Sequence, residues 1–246
     1  MLEDLPLEAP RGFRRYVSRQ IFNCAVLALL LGACSSGGAS DLPFVRSLGW
    51  FGYLDGADIR RSCAAGGGDR YRFVYNAVWG EQVRDYEIFA GAGPAPPQLA
   101  ARILFPEAPG QIDLRDPLST FRGRRAVVPL APSDLEALRR ALEASGFQDA
   151  APAGIVLPSD GYYWIIAACV GGAYHFNAYL YPSRRFAEIS FPAWLFAHDP
   201  SGVPVRPPAP TAPRGPENRV TIDNRSYSIF DLVVGGNGLA GLPHLF

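Results

Sequence analysis

The chain has 246 residues with 23 basic and 23 acidic side chains, a formal net charge of zero at pH 7, and so lacks the basic footprint that marks nucleic-acid binding. Every basic residue is arginine, which removes lysine nucleophiles and Schiff-base chemistry from consideration. A 48% hydrophobic and 12% aromatic composition supplies apolar material for one sizeable core or two small ones.

Residues 1–10 carry Glu3, Asp4 and Glu8, and nothing functional follows from them. Residues 11–34 read RGFRRYVSRQIFNCAVLALLLGAC: Arg11, Arg14, Arg15 and Arg19, an apolar run over 21–33, then Cys34. Basic, apolar, then small residues is the order of an export signal. The apolar run is 13 residues long, well short of the roughly 20 that a helix needs to cross a bilayer. Leu31-Gly32-Ala33-Cys34 resembles the lipobox of bacterial lipoproteins. The resemblance implies that 1–33 is a cleaved signal peptide and that Cys34 becomes a lipidated N-terminus, carrying acyl chains such as palmitate on its sulfur and amine. The lipid bilayer is then a partner, held through acylated Cys34. Several acyl chains anchor stably where one binds only marginally. In that family an Asp after the cysteine retains the protein at the inner membrane; Ser35 here implies the inner leaflet of the outer membrane, facing the periplasm. A cleavable signal followed by a coincidental cysteine is the plainer alternative.

Residues 34–41 include SSGGAS, too small and polar to pack, and read as a flexible lipidated tether. Folded sequence is expected over 42–203. Gly66-Gly67-Gly68 marks a loop after Cys63. Residues 70–78 alternate as a half-buried strand, and 81–89 read as a second strand pairing back on it. Residues 99–105 and 126–130 are short apolar strands. A helix follows, with Ser133 as N-cap, Glu136 completing a capping box, Leu135, Leu138 and Leu142 on one face, and Gly146 as the stop.

The strongest tertiary signal is YYWIIAACVGGAYHFNAYLY over 162–181, two strand-like runs joined by Gly171-Gly172. This predicts a β-hairpin with a tight turn. Its first arm is apolar throughout, which places the hairpin at the centre of a sheet. Residues 185–191 read as an edge strand and 192–198 as a short helix or turn. Prolines at 204, 207, 208, 210, 213 and 216 make 204–218 a semi-rigid linker. The tail, 219–246, docks as one strand or stays free. The fold class is α+β: a single domain with an antiparallel β-sheet, a central Gly-Gly hairpin and one capped helix.

With Cys24 in the signal and Cys34 lipidated, Cys63 and Cys169 remain, and in an oxidising compartment two thiols pair. The rival is that each is a buried apolar residue. His175, His198 and His244 show no metal-ligand spacing, so no metal and no cofactor are expected. Counting outward from the glycines puts Cys169 opposite Tyr174 and His175 opposite Ala168, on opposite sides of the hairpin, which argues against a Cys–His dyad. His175, Asn177 and Tyr179 share one face of their strand. Were Arg70, Arg72 and Asn76 to fall on that same surface, the set would form a polar, aromatic platform for an anionic or sugar-like ligand. The bland alternative is a solvated sheet face. No catalytic residue is identified, and the expectation is a membrane-anchored, non-catalytic envelope lipoprotein that binds a partner or ligand or serves a structural role. The competing reading is a periplasm-facing hydrolase or thiol enzyme using Cys63 or Cys169.

Overall fold

The computed structural model describes residues 49–90, 96–104, 123–211, 219–222 and 225–241. The signal segment, Cys34 and the tether lie outside these residues. In chain order the elements are helices α1 (Trp50–Asp55) and α2 (Ala57–Ala64), strands β1 (Arg70–Ala77), β2 (Gln82–Phe89), β3 (Gln98–Leu104) and β4 (Arg124–Pro129), then helix α3 (Pro132–Ala144). Strands β5 (Val156–Pro158), β6 (Tyr162–Val170) and β7 (Ala173–Tyr181) follow, then helices α4 (Arg184–Ala187) and α5 (Phe191–Ala197). Strands β8 (Arg219–Ile222), β9 (Arg225–Ser228), β10 (Asp231–Gly235) and β11 (Gly238–Leu239) end the described chain. The class is α+β, as the sequence indicates.

Six strands form an antiparallel sheet in the order β4-β3-β2-β1-β6-β7. The β6–β7 hairpin pairs Val170 with Ala173 across Gly171 and Gly172, whose φ values of 58° and 79° give the left-handed turn that a two-residue connection requires. It lies at one end of the sheet and not at its centre: β6 is flanked by β1 and β7, while β7 is terminal. The apolar run of β6 reflects this interior place, since helices or further strands cover both of its faces.

Register divides the sheet into two faces. Face A carries Arg72, Val74 and Asn76 of β1 with Tyr163, Ile165, Ala167 and Cys169 of β6. Against it pack Trp50, Phe51 and Leu54 of α1, Ile59 and Cys63 of α2, and Phe230, Leu232 and Val234 near the C-terminal end. Face B carries Tyr71, Phe73 and Tyr75 with Trp164, Ile166 and Ala168, and is covered by Leu135, Leu138 and Leu142 of α3 and Phe191 and Leu195 of α5. At its centre Trp164 stacks on Tyr75 at 4.7 Å and meets Phe191 edge-on at 5.3 Å. Removing one such buried aromatic costs about 3–5 kcal/mol.

Three local expectations are corrected, and the open alternative for the tail is decided. The N-cap of helix α3 lies two residues before Ser133: Ala131 is the N-cap, Pro132 opens the helix, and the Asp134 carboxylate accepts the Ala131 N–H at 2.9 Å, leaving Glu136 to pair with Arg139. Its end is a Schellman motif, with the Phe147 N–H donating to Leu142 O and Gly146 N–H to Glu143 O. Residues 184–187 form a single helical turn in place of an edge strand, because the Ser183 hydroxyl accepts the Phe186 N–H. The proline segment is no free linker over its described part, since 203–206 is fixed to the sheet. The tail docks: β10 pairs with β5 and delivers Leu232 and Val234 to the face-A core.

Candidate functional site

The six residues proposed as one ligand platform do not meet. Direct pairing puts Arg70 opposite Cys169 and Arg72 opposite Ala167, on face A. His175 faces Ala168, Asn177 faces Ile166 and Tyr179 faces Trp164, on face B. Four of the six are also buried: Arg72, Asn76, Asn177 and Tyr179. Asn76 Nδ2 donates to Ser159 O and Gly161 O, tying β1 to the β5–β6 turn. Asn177 Nδ2 donates to Phe147 O and Asp149 O at 3.1 Å, seating the end of α3. The Tyr179 hydroxyl donates to Ser145 O, and His175 lies beside the Phe147 ring. Asn76, Asn177 and Tyr179 thus satisfy main-chain groups, and the six residues present no shared surface for a ligand.

Arg72 instead belongs to an ion network on face A. Its guanidinium is bidentate on Asp58 of α2 at 2.8 Å, donates to Glu87 of β2 and to Tyr53 O, and lies 3.6 Å from the Tyr53 ring centroid. Arg70 bridges the same Asp58 and Glu87. The Tyr53 hydroxyl donates to Asp85, which also receives Arg102 Nε at 2.5 Å. Three guanidinium groups therefore meet three carboxylates without net charge. Burial favours protonation of Glu87, but the Arg72 and Arg70 charges outweigh it and hold the carboxyl below its ordinary range. Asp58 is lowered in the same way, its burial penalty outweighed by Arg72 and Arg70. Deeper burial pushes the Asp85 carboxyl up, and Arg102 with the Tyr53 hydroxyl offsets only part of that.

A second polar centre, on face B, involves none of the residues singled out from the sequence. Arg84 of β2 is 0% exposed. Its Nη1 pairs with Asp199, its Nε donates to Gln82 Oε1 at 2.8 Å, and its Nη2 donates to Val203 O and Pro204 O at 2.6 and 2.7 Å. The Tyr86 hydroxyl donates to the same Asp199 carboxylate, and burial followed by the Asp199 charge raises that phenol far above its ordinary pKa. Gln82 donates to Pro204 O and accepts the Arg206 N–H, while the Tyr75 hydroxyl donates to Arg206 O. The Arg206 side chain donates to the Tyr162 hydroxyl and pairs with Glu81. The outcome is a set of sheet-borne donors that grips extended main chain. Sequence offers one signal for it: Gln82, Arg84, Tyr86 and Ile88 alternate along β2, so an arginine sits in the middle of an otherwise core-facing row.

Cys63 of α2 and Cys169 of β6 form a disulfide with a Cα–Cα distance of 5.5 Å across a separation of 106 residues. A loop of that length contributes about 5 kcal/mol in the chain-entropy account, by restricting the unfolded chain. Cys169 pairs with Tyr174 and His175 with Ala168, so the thiol position and the imidazole point to opposite faces. Among the described residues, no group of three or more His, Cys, Asp or Glu could hold a metal ion, and no helix is long and apolar enough to cross a membrane. Comparison with protein-family models, curated proteins and solved structures finds no match.

Proposed function

We propose that this chain is a bacterial envelope lipoprotein, anchored through acylated Cys34 in the inner leaflet of the outer membrane and facing the periplasm, where it acts without catalysis by binding a partner. The carrying observation is the order of Arg11, Arg14, Arg15 and Arg19, the apolar run, and Leu31-Gly32-Ala33-Cys34 followed by Ser35. The Cys63–Cys169 disulfide supports the reading, because such bonds persist in oxidising compartments. Its formation also engages both thiols that a cysteine mechanism would draw on.

Expression in a Gram-negative host with a clickable fatty acid tests the anchor. The wild-type chain takes up label and fractionates with outer membranes, and Cys34→Ser loses both label and membrane association. Equal labelling of the variant, or recovery of unlabelled wild-type protein from the soluble periplasm, overturns the anchor.

A further inference from the structure

Residues 203–206 are held on face B mostly by contacts that read main chain. Arg84 supplies donors to Val203 O and Pro204 O, Gln82 brackets Pro204 O and the Arg206 N–H, and Tyr75 donates to Arg206 O. Such contacts require no particular side chain from the segment they grip. Arg206 is also read by its side chain, through the Tyr162 hydroxyl at 3.2 Å and the Glu81 carboxylate, and Val205 packs on the face-B core.

We propose that this groove, formed by Tyr75, Glu81, Gln82, Arg84 and Tyr162, is a binding site for an extended proline-rich peptide carrying one arginine, and that residues 203–208 occupy it in cis. The proposal deepens the partner-binding reading above and rests on it, though not on the lipid anchor. Three features carry it. First, the segment reads Val203-Pro204-Val205-Arg206-Pro207-Pro208. Each proline fixes φ near −65° and has no N–H to satisfy, so such a chain presents carbonyl acceptors and favours the polyproline II form. Second, the groove matches that chemistry: it offers donors and is lined with rings, Tyr75 lying 6.5 Å from Tyr162 and 5.9 Å from Phe196, as in other sites that bind proline-rich chains. Third, the receptor is assembled without the segment. Arg84 is oriented by Asp199 and Gln82, whereas Pro204, Arg206 and Pro207 remain exposed and only Val205 packs against the face-B core. Displacing the segment therefore gives up its hydrogen bonds to Arg84, Gln82 and Tyr75, the Arg206 pairings and one aliphatic contact, all of which an equivalent peptide can restore, and it breaks no strand pairing of the sheet.

A tethered segment competes at an effective concentration on the order of millimolar, so the resident segment keeps the wild-type groove closed to weaker partners. The test uses the mature full chain and a labelled peptide with the sequence of residues 201–210, followed by fluorescence anisotropy. Val205→Asp with Arg206→Ala weakens the resident segment and leaves every groove residue in place. The expected result is saturable binding at least tenfold tighter to this double variant than to wild type, reduced several-fold by adding Tyr75→Phe. A double variant that melts cooperatively yet binds no peptide, or binds a scrambled peptide equally well, overturns the proposal. Should the double variant fail to fold, hydrogen exchange on the wild-type protein decides: the Arg206 amide must exchange at least tenfold faster than the Tyr75 and Arg84 amides, and exchange together with them overturns the proposal. A failed titration leaves the anchor standing, since Cys34 acylation is read separately; partner capture by another surface leaves the partner-binding reading standing.

Discussion

On face A, Arg70, Arg72 and Arg102 meet Asp58, Asp85 and Glu87, whereas on face B Arg84 meets Asp199 and turns its remaining donors to main-chain carbonyls. The first arrangement is shared and reaches water: the Asp58 side chain is 41% exposed and Glu87 also holds Arg70. The second is sealed, with Arg84 at 0% and the Asp199 side chain at 6%. Redundant partners spread the cost of losing one charge, while a sealed pair concentrates it in the charge left behind. Face A accordingly works as a brace between α2 and β1–β2. Face B turns a buried charge into a grip on peptide.

The largest expected effect lies on face B. Arg84→Met strands the Asp199 carboxylate and frees two carbonyls, for a loss of about 4 kcal/mol in guanidinium unfolding. Gly56→Ala strikes face A from the backbone side. Gly56 has φ 67°, and an added Cβ would lie 2.4 Å from the Ala167 Cβ and 2.7 Å from the Tyr174 hydroxyl. Left-handed strain and overpacking together predict a loss of about 3 kcal/mol, visible as a lowered thermal midpoint. Arg72→Met should cost less than Arg84→Met, about 2 kcal/mol, because Asp58 can rehydrate and Glu87 keeps Arg70; an equal or larger loss would erase the distinction between the faces.

Acid should act on face A more gently. Asp58 and Glu87 titrate below their ordinary values in the folded state. Their contribution is complete above about pH 4.5, the ordinary carboxylate range, and is lost as pH falls through the lowered folded values. Asp85, raised by burial, works in the opposite sense: its contribution favours the protonated form and declines as pH rises through its folded value. Urea midpoints between pH 7 and pH 3 should therefore fall in wild type and fall less in Glu87→Gln. Parallel curves for the two proteins would remove Glu87 from the acid response.

Strand positions were legible where alternation was strong or where an apolar run met a glycine pair. The run over 162–181 maps onto β6 and β7 to the residue, and 70–78 onto β1 with one residue to spare. Helices α1 and α2 escaped because Gly56 interrupts their apolar period after six residues, leaving two segments too short to show a stripe. The platform of Arg70, Arg72, Asn76, His175, Asn177 and Tyr179 failed for another reason. Each strand's alternation was readable, but which phase of β1 faces which phase of β7 is set by the β1–β6 register, and a one-residue difference inverts the answer. Arg84 could be located on β2 but not interpreted, since its partner Asp199 comes 115 residues later and nothing local announces it. The disulfide was expected because the export reading left Cys63 and Cys169 as the two cysteines to join.

The covering of face A has an order in time. Phe51 of α1 meets Phe230 edge-on at 5.1 Å, and Leu232 and Val234 close the same core, with the Phe230 N–H held by the Ser159 hydroxyl. A chain made N-terminus first thus presents α1 and the face-A side of β6 before the residues that complete their cover. Closure of that core requires Phe230 to Val234, so a chain cut before residue 230 lacks this part of its face-A cover. Strand β10, late in the chain, is thus the latch of this face.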